Sequence, residues 1–270
     1  MMSMFRTILT CFSLLGFLMV SAPVSASPMT SHRAVYEVKI VKPQPGSSII
    51  SGKGLMTIQI EKSCDGWITG QTWHMTMNAF DGKSFQHDIR YATWESFDGL
   101  SYRFSVSDKG NGQTKTFKGK ATTKSVPGEG QAHFVQPKKM TVELPADTVF
   151  PISHVTQLIK KAADGNRLVP FVLFDGASEK GPLRVATFIS DKKSSQSIDM
   201  PVKHKLLTVG GWNMRMAFFP SKGRLAEPEY ELEVMQLENG IVPTAMQVFP
   251  DFTIQMKLKK IEGLKPTKCS

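Results

Sequence analysis

Past residue 26 the sequence has no uncharged apolar run approaching the 18 residues that a membrane-spanning helix requires, so no helical span is expected there. It lacks HxH, HExxH and any Cys/His cluster, and zinc normally takes three protein ligands, so no metal centre is legible. No G-x-S-x-G elbow and no S-x-x-K with a matching second motif is present, which removes the local signatures of nucleophilic hydrolases. Gly128-Glu129-Gly130 lacks a third glycine and a following helix, and Lys120 lacks Walker spacing upstream, so no phosphate cradle is expected. These absences leave no catalytic residue, cofactor or metal ligand to assign. They do not exclude enzymes as a class, because acid pairs assemble from distant strands.

Cysteine is scarce too, with 3 in 270 residues. Cys11 falls in an N-terminal segment that reads as a secretory signal peptide. Arg6 precedes the uncharged run from Ile8 to Val20, and Val24-Ser25-Ala26 supplies small residues before Ser27. Thirteen residues rise only about 20 Å as a helix, too short for the roughly 30 Å hydrocarbon core. The expected cut follows Ala26, with Ala22 as the alternative. Residues 27–270 then form the exported protein, with 32 − 23 = +9 formal charges and two cysteines, Cys64 and Cys269. Export excludes intracellular nucleic-acid work. In an oxidising compartment one disulfide is the default, closing a ring across 205 positions; two free thiols, or pairing with another chain, are the alternatives.

The exported part is dominated by short alternating runs. Tyr36, Val38 and Ile40 alternate with Glu37 and Lys39; Met56, Ile58 and Ile60 with Thr57 and Gln59; Tyr102, Phe104 and Val106 with Arg103 and Ser105. Trp67 to Met77 and His87 to Trp94 read the same way. Period-two alternation marks half-buried strands. Asp65-Gly66, Asp81-Gly82, Asp98-Gly99 and Asn111-Gly112 punctuate them, and such dipeptides favour tight hairpins. Two strands flank Asn239-Gly240, with Pro243 implying an edge strand or a bulge. A last strand places Ile254, Met256, Leu258 and, where the alternation continues, Lys260 on one face. The fold class is therefore all-β, a many-stranded antiparallel meander in one domain.

One main α-helix stands out. Ser153 reads as its N-cap, Val155, Leu158, Ile159 and Ala162 as its apolar stripe, and Gly165 as its stop. About 11 residues of helix among a dozen strands make a plug or a cover, not a bundle. Residues 43–48, 122–130 and 190–211 are the expected non-core stretches, the last a mobile loop or a weak boundary.

Few residues invite chemistry. If Asp81-Gly82 closes a two-residue hairpin, His87 faces Thr76, His74 faces Ile89, and the two histidines are diagonal neighbours on one face. With no third ligand nearby they read as surface or packed histidines. Ser153-His154 reads as helix capping, and Asp88 and Glu95 fall on opposite faces of their strand. Met56, Met75, Met77, Met214, Met216, Met246 and Met256 read as core filling before an adaptable groove. The 25 lysines and 8 arginines are scattered, the pattern of a solvated surface; attraction to lipid head groups, lipopolysaccharide or an acidic protein is the functional alternative.

The order of SHRAVYEVKI, FDGLSYRFSVSDKGNG, ELPADTVFPISHVTQLIKKAADG, FDGASEKG and DFTIQMKLKKIEGLKPTKC resembles the EipB-type envelope-integrity proteins, a periplasmic family of Gram-negative bacteria. The resemblance covers the whole exported chain, and Cys64 and Cys269 match the family's disulfide positions. It implies an open, spiral β-barrel around one helix and a periplasmic, non-enzymatic role in keeping the cell envelope intact. Two expectations follow for how that role is served. The leading one is binding of another envelope protein; the alternative is a lipid or lipoprotein carrier whose curved sheet encloses an apolar chain.

Overall fold

The computed structural model describes residues 29–270 apart from 111, 222–226, 266 and 270; the signal peptide expected at 1–26 lies outside the described residues. Fifteen strands follow one another as β1 His32–Pro43, β2 Ile49–Lys62, β3 Gly66–Ala79, β4 Ser84–Ser96, β5 Ser101–Gly110, β6 Gln113–Thr123, β7 Gly130–Gln136, β8 Met140–Leu144 and β9 Thr148–Val149. After the helix α1, Pro151–Ala163, come β10 Leu168–Leu173, β11 Leu183–Lys193, β12 Gly211–Pro220, β13 Tyr230–Leu237, β14 Thr244–Val248 and β15 Phe252–Gly263.

All fifteen belong to one sheet, ordered β8 through β1, then β15 back through β9. The two edge strands, β8 and β9, are therefore consecutive in sequence, joined by residues 145–147 only. Four Cα steps reach about 14 Å at full extension, so the two edges of the sheet must come together and the sheet must curl on itself. Only the β9–β10 pair is parallel; every other neighbour is antiparallel. The result is the nearly closed, all-β barrel-like sheet with one α-helix that the sequence pattern implied.

Alternating strand directions sort the connections onto two rims. One rim carries the turns 44–48, 80–83, 137–139 and 249–251; the connection 174–182 leaves the end of β10 and turns inward, with Phe174 packed against Tyr102 and Phe150. The other carries 63–65, 97–100, 124–129, 194–210 and 238–243, with the start of β1, the end of β15 and α1. This second rim is stoppered. Leu158, Ile159 and Ala162 of α1 enter the main core with the inward residues of β1–β3 and β10–β15, while Ile152 packs with Met29, Ile60 and Trp67. Leu207 of the 194–210 connection is 3% exposed and joins the same core, so this stretch is neither a boundary nor a loose loop.

Four sequence expectations need correction. The β3–β4 turn has three residues, not two: Asn78 pairs with Ser84, and Gly82 takes a φ of 81° that glycine adopts without strain. His74 therefore faces Asp88, Met75 faces His87, and the two histidines stand on opposite faces. The helix N-cap position is held by Phe150, which offers no side-chain acceptor, and Ser153 lies three residues inside. A bulge at Lys259 shifts the phase of β15, so Ile261, not Lys260, turns inward after Leu258. Pro243 precedes the first residue of an internal strand, its carbonyl accepting from the Leu258 N–H, so the strand it introduces is not an edge.

The acceptor missing at the helix start comes from β4. Glu95, 1% exposed, accepts from the N–H groups of Ile152 (2.8 Å) and Ser153 (2.7 Å) and from the Ser153 hydroxyl (2.5 Å). These are the N2 and N3 donors that a local cap would satisfy. Burial pushes the Glu95 carboxyl up to about 7, against the pull of those three donors. His154, edge-on to Phe171, is buried with Nε2 unpartnered, and burial lowers it to about 4.

At the stoppered rim Cys64, in the β2–β3 turn, and Cys269, beyond β15, meet at disulfide distance with 5.5 Å between Cα atoms. The ring would span 205 positions, for which the chain-entropy model gives a ceiling of about 5 kcal/mol. Chemical denaturation is expected to show a lower midpoint for Cys64→Ser, or for wild type in reductant; coincident curves with and without reductant would refute the bridge's role. Glu95 gives a second expectation. Its folded pKa lies above the ordinary value of 4.5, so its contribution is complete below 4.5 and is lost as pH rises through 7. His154 has the opposite slope, its contribution lost as pH falls from 6.5 towards 4. The stability difference between wild type and Glu95→Gln isolates the carboxyl and is expected to shrink by up to about 3 kcal/mol between pH 4.5 and 7. A difference independent of pH would show that Glu95 does not titrate there.

Candidate functional site

The unstoppered rim is where the inner face of the curl is accessible, and register decides which side chains it presents. Met77 pairs with Phe85, Met75 with His87, Ile89 with Asp108, His87 with Gly110, and Asp108 with Lys115. Met75 and Met77 are core residues, so Phe85, His87, Asp108, Gly110 and Lys115 share the inner face. Together with Gln113 they line a cavity of about 240 Å³.

The cavity is built around one close contact. His87 Nε2 lies 2.7 Å from Asp108 Oδ1; an ionised carboxylate only accepts, so Nε2 carries the hydrogen. Gly110 makes this possible, since a Cβ there would stand 3.0 Å from His87 Cδ2. Asp108 is thereby engaged by His87, and Lys115, exposed, pairs with no carboxylate among the described residues. His74, across the sheet, makes its own bond to Asp88 at 2.7 Å on the outer face.

Opposite this wall the same rim carries an aromatic run. Phe218 and Tyr230 stack at 4.4 Å, Tyr230 meets Phe249 at 5.8 Å, and Phe249 meets Phe252 at 5.3 Å. Phe218 is buried, while the other three are half-buried. Asp175, in the 174–182 connection, is itself held above the usual carboxylate range by burial. Burial first, and then the charge of Asp175, raise the hydroxyls of Tyr91, Tyr102 and Tyr230. Tyr91 and Tyr102 stand on β4 and β5 and Tyr230 on β13, so Asp175 sits between the two walls of the curl.

The outer face holds a larger groove, about 480 Å³, across β11–β15. Phe188, Arg215, Glu233, Met246 and Lys257 line it, with Asp199 from the 194–210 connection. Phe188 is 57% exposed.

Of the residues singled out in the sequence, Cys64 and Cys269 come together. His74 and His87 do not, and no group of three or more His, Cys, Asp or Glu able to hold a metal occurs among the described residues. Met56, Met75, Met77, Met214, Met216 and Met256 are buried core, with Met246 half-buried in the outer groove. Asp88 and Glu95 do point to opposite faces, and Glu95 is the one that matters structurally. The signal for Glu95 was an acidic residue at an inward position of an alternating strand. The signal for Lys115 was weaker, one lysine among 25. Among the described residues no helix is long and apolar enough to cross a membrane.

The chain matches the family described as EipB-like over residues 23–265. It is 26% identical to the cell envelope integrity protein EipB of Brucella abortus (strain 2308) over 275 residues, covering 97% of this chain and 95% of that protein. A crystal structure of a beta-barrel-like protein of a domain of unknown function, also from Brucella abortus, aligns with a TM-score of 0.81. That alignment covers 89% of this chain and 100% of the other at 23% identity, a likeness that establishes the fold.

Proposed function

The chain belongs to the EipB-like family, and on that premise we propose that it serves cell-envelope integrity as a periplasmic binding protein whose unstoppered rim receives the apolar chain of an envelope amphiphile. The family relative's name speaks of integrity and names no reaction. The observation that carries the reading is the asymmetry of the curl. One rim is filled by α1 and the 194–210 connection, while the other leaves Tyr230, Phe249 and Phe252 half-buried at the margin of the main core. Half-wet aromatic surface facing inward gains from an apolar occupant by roughly 25 cal/mol per Å² covered.

A peptide occupant fits this rim less well. The strands there, β1 to β6 and β12 to β15, have sheet neighbours on both sides, so only short stretches at the rim, such as 113–117 of β6 beyond the Lys118–Gln136 pair, are left for an inserted backbone to join. An acyl chain needs no ladder. Mass spectrometry of lipid extracted from the protein purified out of the envelope is expected to find near-stoichiometric amphiphile. Tyr230→Ser with Phe249→Ser should lower its occupancy about tenfold, equivalent to roughly 1.4 kcal/mol of lost burial. Wild-type protein free of lipid would overturn the reading.

The outer groove favours a second reading, a protein partner docked on β11–β15, because an exposed phenylalanine there is flanked by Arg215, Glu233 and Lys257. A photocrosslinker placed at Phe188 in living cells is expected to trap one recurrent envelope protein, lost on Arg215→Glu. Crosslinks spread over many proteins would sink it.

A further inference from the structure

We infer that the 240 Å³ cavity formed by Phe85, His87, Asp108, Gly110, Gln113 and Lys115 is a head-group site for a single-chain anionic amphiphile, with the Lys115 ammonium as its charge partner. The inference deepens the open-rim reading and rests on it. At 240 Å³ the cavity falls below the range of about 300–1,000 Å³ typical of drug-sized ligands, so it holds a head group and not a whole lipid.

The sign of the charge follows from which groups are already engaged. His87 occupies Asp108 at 2.7 Å, and Gly110 keeps that contact by leaving room for the imidazole. Apart from Asp108 Oδ2, which the His87 contact leaves unengaged, the groups that can meet a ligand are a cation and a donor: the Lys115 ammonium, which pairs with no carboxylate among the described residues, and the Gln113 amide N–H groups. A carboxylate or a phosphate monoester presents the acceptors that these donors need. Phe85, packed against the main core, forms the apolar side of the cavity, and Phe117 follows Lys115 along the inner face of β6. An amphiphile seated with its head at Lys115 would lay its chain against these rings and towards the aromatic run across the mouth.

The test uses the exported chain, 27–270, freed of lipid and titrated calorimetrically with four probes below their critical micelle concentrations. These are palmitate, dodecyl phosphate, the uncharged dodecyl maltoside and the cationic dodecyltrimethylammonium. Wild type is expected to bind palmitate or dodecyl phosphate at one per chain, and tighter than either of the others. Preference between the two anions identifies the head group. Lys115→Gln should weaken the anionic probe about tenfold or more, as expected for a lost charge-assisted hydrogen bond, and leave dodecyl maltoside unchanged. Lys115→Glu should reverse the preference towards dodecyltrimethylammonium, which a merely structural lysine would not do. Both variants alter an exposed side chain, and their unfolding midpoints are to match wild type. Equal binding of all four probes, untouched by Lys115→Gln, would overturn the head-group site while leaving the open-rim reading standing. Binding of no probe at all would remove both.

Discussion

A single buried carboxylate decides which end of the curl is stoppered. A helix start leaves N–H groups that must find acceptors, and here neither Phe150 nor Pro151 supplies one from its side chain. Glu95 reaches across from β4 and accepts from both Ile152 and Ser153. A bare buried charge would cost several kcal/mol, but three donors and the positive end of the helix dipole offset it. The consequence is positional. The helix is seated by a contact 57 residues away in sequence, and its start is pinned to the rim where β4 ends.

From that anchor the rest of the interior follows. Thirteen helical residues span about 20 Å, enough to fill one half of the curl with Leu158, Ile159 and Ala162. The other half receives no helix, though Asp175 of the 174–182 connection lies between its walls. Its inward side chains pack laterally instead, Phe218 on Tyr230, Tyr230 on Phe249, Phe249 on Phe252, each pair worth about 0.5–1.5 kcal/mol beyond area. Near Phe150 the helix side differs: Tyr102, Phe104, Phe134 and Phe174 close into a fully buried aromatic cluster. Burial therefore grades from complete at the anchored rim to partial at the other. That gradient, more than any one residue, marks where the proposed amphiphile would enter.

Much of this was legible in the sequence because the rules that fix strands act over two residues. Tyr36-Val38, Met56-Ile60 and Tyr102-Phe104-Val106 alternate as their burial does, and the helix stripe Leu158, Ile159, Ala162 needed only a period of 3.6. What escaped depends on tertiary distance or on a single added residue. Glu95 caps a helix that no local pattern connects to it, which is why Ser153 looked like the cap. Lys259 is the extra residue of a bulge, and a bulge leaves no mark in an alternating run except that Lys260 and Ile261 exchange faces. The proposed head-group site escaped for another reason: Lys115 is distinguished by the neighbouring contact of Asp108 with His87, a fact of pairing that composition does not carry.

The β3–β4 turn shows how far one such residue reaches. With Phe80, Asp81 and Gly82 as the loop, odd-numbered residues of β3 and β4 share the inner face, so Met75 and Met77 sit beside His87 and Phe85. A two-residue loop would turn the even residues of β4 inward. Gln86, Asp88 and Trp94 would then line the interior, His87 would leave Asp108, and Glu95 would point to solvent. The first change removes the cavity at the open rim, and the last removes the acceptor that seats the helix at the closed one. Both ends of the curl thus depend on the positive φ of Gly82, which lets a three-residue loop close where the Asp-Gly dipeptide alone suggested two.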